Sequence, residues 1–413
     1  VTARGTASRT PAAPRPTPPP WLDTDALLAD PLIKIMICCG SGGVGKTTTS
    51  AAIAVRAAEQ GRKVCVLTID PARRLAQSLG LGELDNTPRP VDGIDGSAGG
   101  SLDAMMLDMK RTFDDVVVAH SSAEKAEQIL TNPFYQALST SFSGTQEYMA
   151  MEKLGQLHTQ AEADGRWDLI IVDTPPARSA LDFLDAPEHL SSLLDGRLLR
   201  MLLAPARGPF KIMSMGFNVV TAVMNKVLGA QIITDVQTFV NAFEALFGGF
   251  GARAQETFAL LSSRNTTFVV VATAERDATR EAAYFVDRLS DERMPLAGVV
   301  VNRVHSSEVD VSAERALALA EDLADRTESD RVTTERDGSA TSTDEDDEPY
   351  AVEIEALQRH AARMRVVARE AQVLERFSAS RRGVPRTVIE ALPTDVADLP
   401  SLRLVGRLLA QQD

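Results

Sequence analysis

The chain has 413 residues, enough for one large α/β domain or two smaller ones, and its 44% hydrophobic content suits a globular core. A formal net charge of −14 excludes a nucleic-acid partner held by general basicity, although a local site can still neutralise phosphate. The three cysteines, Cys38, Cys39 and Cys65, fall in apolar runs with no Cys-x-x-Cys pair, which argues against a disulfide framework or thiolate zinc and fits a reducing cytoplasm.

Val1 to Pro20 is rich in Thr, Ala, Arg and Pro and ends in Pro18-Pro19-Pro20. It lacks the apolar stretch of a signal peptide and reads as a disordered lead over residues 1–25, ahead of a domain spanning 26–413. No segment has the length and apolarity of a membrane span.

The first apolar run, Ile33–Cys39, reads as a buried strand, and Thr47–Glu59 reads as an Ala-rich helix. Between them stands Gly40-Ser41-Gly42-Gly43-Val44-Gly45-Lys46-Thr47, a phosphate-binding loop of the form G-x-x-x-x-G-K-[ST]. Glycines let its backbone N–H groups approach polyphosphate oxygens. Gly42, Gly43, Val44, Gly45, Lys46, Thr47 and Thr48 are the candidate nucleotide contacts. Lys46 would reach the β- and γ-phosphates, and the Thr47 hydroxyl would bind Mg²⁺.

Further strands are expected at Val64–Ile69, Met105–Leu107, Leu169–Val172, Phe268–Ala272, Gly298–Val301 and Thr387–Ile389, with helical patterns between most of them. This alternation predicts an α/β fold, a doubly wound and mainly parallel sheet with the loop at the carboxyl ends of the strands. Asp70 ends the second strand, where a carboxylate could orient the attacking water or cap the following helix. Asp168-Leu169-Ile170-Ile171-Val172-Asp173 is apolar and ends in a carboxylate, which beside a phosphate loop points to a water-mediated Mg²⁺ partner. The following Thr174-Pro175-Pro176-Ala177-Arg178-Ser179 suits a loop that senses the γ-phosphate.

Two helical insertions are expected, at about 110–165 and 187–262. In the second, Met213, Phe217, Val220, Met224, Val227 and Leu228 share one helical face. Ordinary core accounts for such a stripe, while a Met-rich client surface is the sharper alternative. Residues 321–349 carry an acidic excess and few apolar side chains, so a disordered loop is expected there, followed by a helix over Ala351–Ser378.

The loop Gly42 to Thr48, the Asp70-Pro71-Ala72 turn, and Val172-Asp173-Thr174-Pro175-Pro176 followed by Leu181, Leu184 and Pro187 resemble the arsenite-pump (ArsA-type) ATPase family. That family has a deviant P-loop and also contains the ATPases that deliver tail-anchored membrane proteins. The resemblance runs from about Leu32 to Gly406. It implies ATP and Mg²⁺ as ligands, Asp70 as the water-positioning residue of switch I and Asp173 as the Mg²⁺ partner of switch II. It also implies Asn302, after Val299-Val300-Val301, and Pro393 as contacts to adenine.

The departures are specific. Ser41 stands where the family has a lysine that crosses a dimer interface, and Arg178-Ser179 replace Gly-His. The acidic segment occupies the place of the Cys-x-x-Cys clamp. The resemblance therefore implies an ATPase working as a nucleotide-driven dimer, cytoplasmic or peripheral at a membrane, on a protein, membrane or transport client met by the Met-rich helices. The alternative is a poorly hydrolysing regulatory subunit of a hetero-oligomer with a paralogous ATPase. A chromosome-partitioning relative is disfavoured by the acidic balance.

Overall fold

A computed structural model describes residues 20–70, 74–133, 135–136, 145–175, 252–336 and 350–411. Two compact units are distinguished: Val1–Leu22 with His305–Arg386, and Asp23–Val304 with Thr387–Asp413.

The larger unit is built on strands β1 (Ile35–Gly40), β2 (Lys63–Thr68), β3 (Arg89–Pro90), β4 (Ser101–Met106), β5 (Leu169–Asp173), β6 (Thr266–Thr273), β7 (Leu296–Val304) and β8 (Arg386–Glu390). They lie in one sheet in the order β3-β4-β2-β5-β1-β6-β7-β8. Every residue of β1, β5 and β6 is buried, as expected for strands covered on both faces. β1 pairs in parallel with both β5 and β6. The chain leaves β1 towards β2 on one side and returns to β6 on the other, so β1 is the switch point of the sheet.

All seven expected strands are present. The one that was not expected, β3, is two exposed residues paired antiparallel to β4 at the sheet edge. It is too short to show a periodic pattern, and its proline is tolerated only at an edge.

Helices in this unit include α1 (Thr24–Ala29), α2 (Lys46–Glu59), α3 (Arg74–Ser78), α4 (Met109–His120), α5 (Ala123–Leu130) and α6 (Thr145–Asp164). Residues 252–261 are also helical, and α7 (Arg276–Asp291) and α8 (Leu399–Leu409) complete the described set. Ten of the fourteen residues of α2 are buried, because its small alanines let it lie close against the sheet.

In the smaller unit, helices α9 (Ala313–Arg336) and α10 (Ala351–Ser380) meet through buried Ala313, Ala316 and Ala361, with Leu317, Leu357 and Met364 packed around them. Residues 321–336, expected to open the acidic loop, are instead the continuation of α9. Their Ala, Leu, Glu and Arg content favours helix, and Glu321, Asp322, Asp325, Arg326 and Glu328 are exposed, with Arg326 paired to Asp322 at 2.7 Å one turn away. Net charge and low apolarity thus marked a solvated helix here, not an unstructured segment.

The lead up to residue 19, Pro71-Ala72-Arg73, Arg178-Ser179, the Met213–Leu228 stripe and the acidic run 337–349 lie outside the described residues. Among the described residues, no helix is long and apolar enough to cross a membrane.

Candidate active site

The loop leaves β1 at Gly40, whose φ of 151° and close approach to β6 exclude a side chain: a Cβ there would stand 2.1 Å from the Val271 carbonyl oxygen. Gly43 and Gly45 also have positive φ, 76° and 95°, and Gly45 caps the N-terminus of α2. The loop therefore curls into a helix N-terminus, where free N–H groups and the helix dipole favour an anion.

Lys46 is buried, and its ammonium donates to the Ser41 carbonyl oxygen at 2.8 Å. Burial draws its pKa below the usual lysine value, opposed chiefly by the charge of Asp173. The loop thus holds its cation folded inside itself. Gly42 and Gly43 are exposed on the rim, while Val44 is buried and Thr48 half-buried in the first turn of α2.

Asp173 reaches this loop through sheet register. It lies opposite Cys38 of β1 and Thr68 of β2, so its carboxylate sits at the carboxyl end of both. The Thr47 hydroxyl donates to its Oδ2 at 2.8 Å and the Thr68 hydroxyl to the same oxygen at 3.0 Å. Asp173 is fully buried, and Oδ1 has no hydrogen-bond partner. Burial raises its pKa to about 6, against the opposing hydrogen bonds of Thr47 and Thr68 and the charge of Lys46.

An anionic oxygen left unpaired in the interior is costly, and oxygen donors of this kind suit a hard divalent cation beside phosphate. The residues present therefore fit the metal that the sequence suggests. Asp70 stands half-buried at the end of β2, close enough for its charge to raise the pKa of both Lys46 and Asp173. The helix cap expected of it falls at residues 71–73, outside the described residues.

Asn302 comes to the loop from β7. It is buried, and its Nδ2 donates to the Val44 carbonyl oxygen at 2.9 Å. Pro393 lies exposed in the bend after β8, two residues beyond Ala391, whose N–H donates to Val304 O at the end of β7. Two further participants are marked by no motif. Thr68 is one, although its place two residues before Asp70 was a usable signal. Arg303 is the other: next to Asn302, it donates from Nη2 to the Gly43 carbonyl oxygen.

A phosphate loop after the switch-point strand, with a carboxylate at the tip of the next strand, defines a P-loop nucleotide hydrolase. The anion-transporting ATPase family matches residues 33–321, and the chain belongs to that family and is an ATPase. It is similar to ATPase GET3 of Ajellomyces dermatitidis, 26% identical over 297 residues that cover 71% of this chain and 79% of that protein. It is 32% identical over 179 residues to ATPase GET3 of Candida glabrata, covering 40% of this chain and 49% of that protein. The arsenical pump-driving ATPase of Acidiphilium multivorum is 32% identical over 158 residues, 38% of this chain and 26% of that protein.

Proposed function

We propose that the chain binds ATP with Mg²⁺ at the loop Gly42 to Thr48 and hydrolyses it in a nucleotide-driven dimer acting on a protein, membrane or transport client. Lys46 neutralises the terminal phosphates, and the N–H groups of the loop bind their oxygens. Thr47 and Asp173 hold the metal, which when bound shields phosphate charge. Asp70 orients the water that attacks, and Asn302 and Pro393 meet the adenine. A cytoplasmic location with peripheral membrane contact fits this reading.

The observation that carries the proposal is the convergence of Lys46, Thr47 and the unpaired Asp173 oxygen on one loop. Phosphate release by the purified chain, with Mg²⁺ and with excess chelator, tests it. Metal-dependent release is expected. No release in either condition, with no nucleotide bound in a calorimetric titration, would overturn the assignment.

A second reading rests on Ser41. Its side chain is uncharged and the residue is buried, with its carbonyl engaged by Lys46. It has no cation to offer another chain. This supports a regulatory subunit that turns over slowly alone and pairs with a paralogous ATPase. Turnover of the chain alone and with such a partner separates the two readings.

A further inference from the structure

Two consecutive residues of β7 grip two consecutive residues of the phosphate loop. Asn302 Nδ2 donates to Val44 O at 2.9 Å, and Arg303 Nη2 donates to Gly43 O, across sequence separations of 258 and 260 residues. The peptide bonds concerned are trans. In a planar trans peptide the C=O of one residue and the N–H of the next point in opposite directions. Holding the Gly43 and Val44 carbonyls towards β7 therefore turns the N–H groups of Val44 and Gly45 away from it.

The fold makes room for this grip at both ends. Arg303 has φ 58°, one of three positive values among the described residues other than glycine. Arginine rarely adopts that conformation, which is unfavourable for side chains with a Cβ. On the loop side, a Cβ on Gly45 would stand 2.2 Å from Asn302 Nδ2, so the approach of Asn302 depends on glycine there. Arg303 itself is exposed, so its guanidinium does not serve the core.

We propose that Arg303 is a positioning residue for phosphate binding. With Asn302 it sets the direction of the loop N–H groups before the nucleotide arrives, and it recognises no part of the base. The inference rests on the loop being the nucleotide site, as proposed above. Its ligand class is polyphosphate, with or without a nucleoside.

The test compares ATP with inorganic tripolyphosphate, titrated calorimetrically against the full chain at fixed Mg²⁺. Arg303→Gly keeps the positive φ and removes the guanidinium. Affinity for both ligands should fall by a similar factor, roughly tenfold for a charge-assisted hydrogen bond. Arg303→Lys should recover part of it. A purely structural role would lower thermal stability and leave the affinity of the folded protein unchanged. Should the glycine variant not fold, Arg303→Gln carries the same comparison. A loss confined to ATP would place Arg303 on the nucleoside and overturn the proposal, as would unchanged affinity for both ligands. If the unmodified chain binds neither ligand, the site assignment fails together with this inference. Binding by the unmodified chain and by its variants alike overturns this inference alone.

Discussion

The Thr47 hydroxyl and the Asp173 carboxylate, 126 residues apart in sequence, share a hydrogen bond of 2.8 Å that joins the start of α2 to the tip of β5. Asp173 is buried, holds one oxygen without a partner and has its pKa raised to about 6, so above that pH the fold carries its charge at a cost. Each pKa unit corresponds to about 1.4 kcal/mol. Asp173→Asn removes the charge and keeps the shape. The thermal midpoint of the nucleotide-free chain at pH 7.5 should hold or rise while Mg²⁺-dependent turnover is lost. A clear fall in the midpoint would mean that the carboxylate stabilises the fold.

Lys46→Ala removes the one cation folded inside the loop. Affinity for a non-hydrolysable ATP analogue should drop by about tenfold or more, as expected for losing a charge-assisted contact. Unchanged affinity in a titration would displace the site from this loop.

Gly45→Ala meets two obstacles at once: φ 95° and a Cβ only 2.2 Å from Asn302 Nδ2. Destabilisation of about 1–3 kcal/mol is expected, together with loss of nucleotide binding. Denaturant melts read the first and calorimetry the second. Wild-type values in both would show that the loop relaxes freely away from β7.

Asp70→Asn keeps the side chain's size and loses its charge. Nucleotide affinity should persist while turnover falls roughly 10²–10⁴-fold, the usual contribution of a base or water-orienting group. Equal steady-state rates for the two proteins would leave Asp70 only a structural part.

Ser41→Lys tests whether the loop lacks a cation that another chain would receive. Turnover of the chain on its own should rise, by up to the roughly 10³–10⁵-fold worth of a comparable charge supplied in trans. Brisk turnover before the change, and no gain after it, would show that the site is complete with serine.

The loop Gly40 to Thr47, the carboxylates closing two apolar runs and the seven longer strands are all legible along the chain alone. Each of these is a contiguous pattern whose chemistry or periodicity is local, so neighbours along the chain suffice to read it. The disorder expected from residue 321 gives way to helix as far as Arg336, because composition records charge but not the packing of Ala313 and Ala316 against Ala361, from which the helix runs on. Which side chains become partners depends on the folded sheet. Asp173 meets Thr68 because β5 lies beside β2 in a register that sets them opposite each other. Arg303 meets Gly43 because β6 and β7 follow β1 across the sheet and the end of β7 turns through a left-handed residue. Strand order and register fix which distant side chains share a strand tip, and no local pattern encodes either.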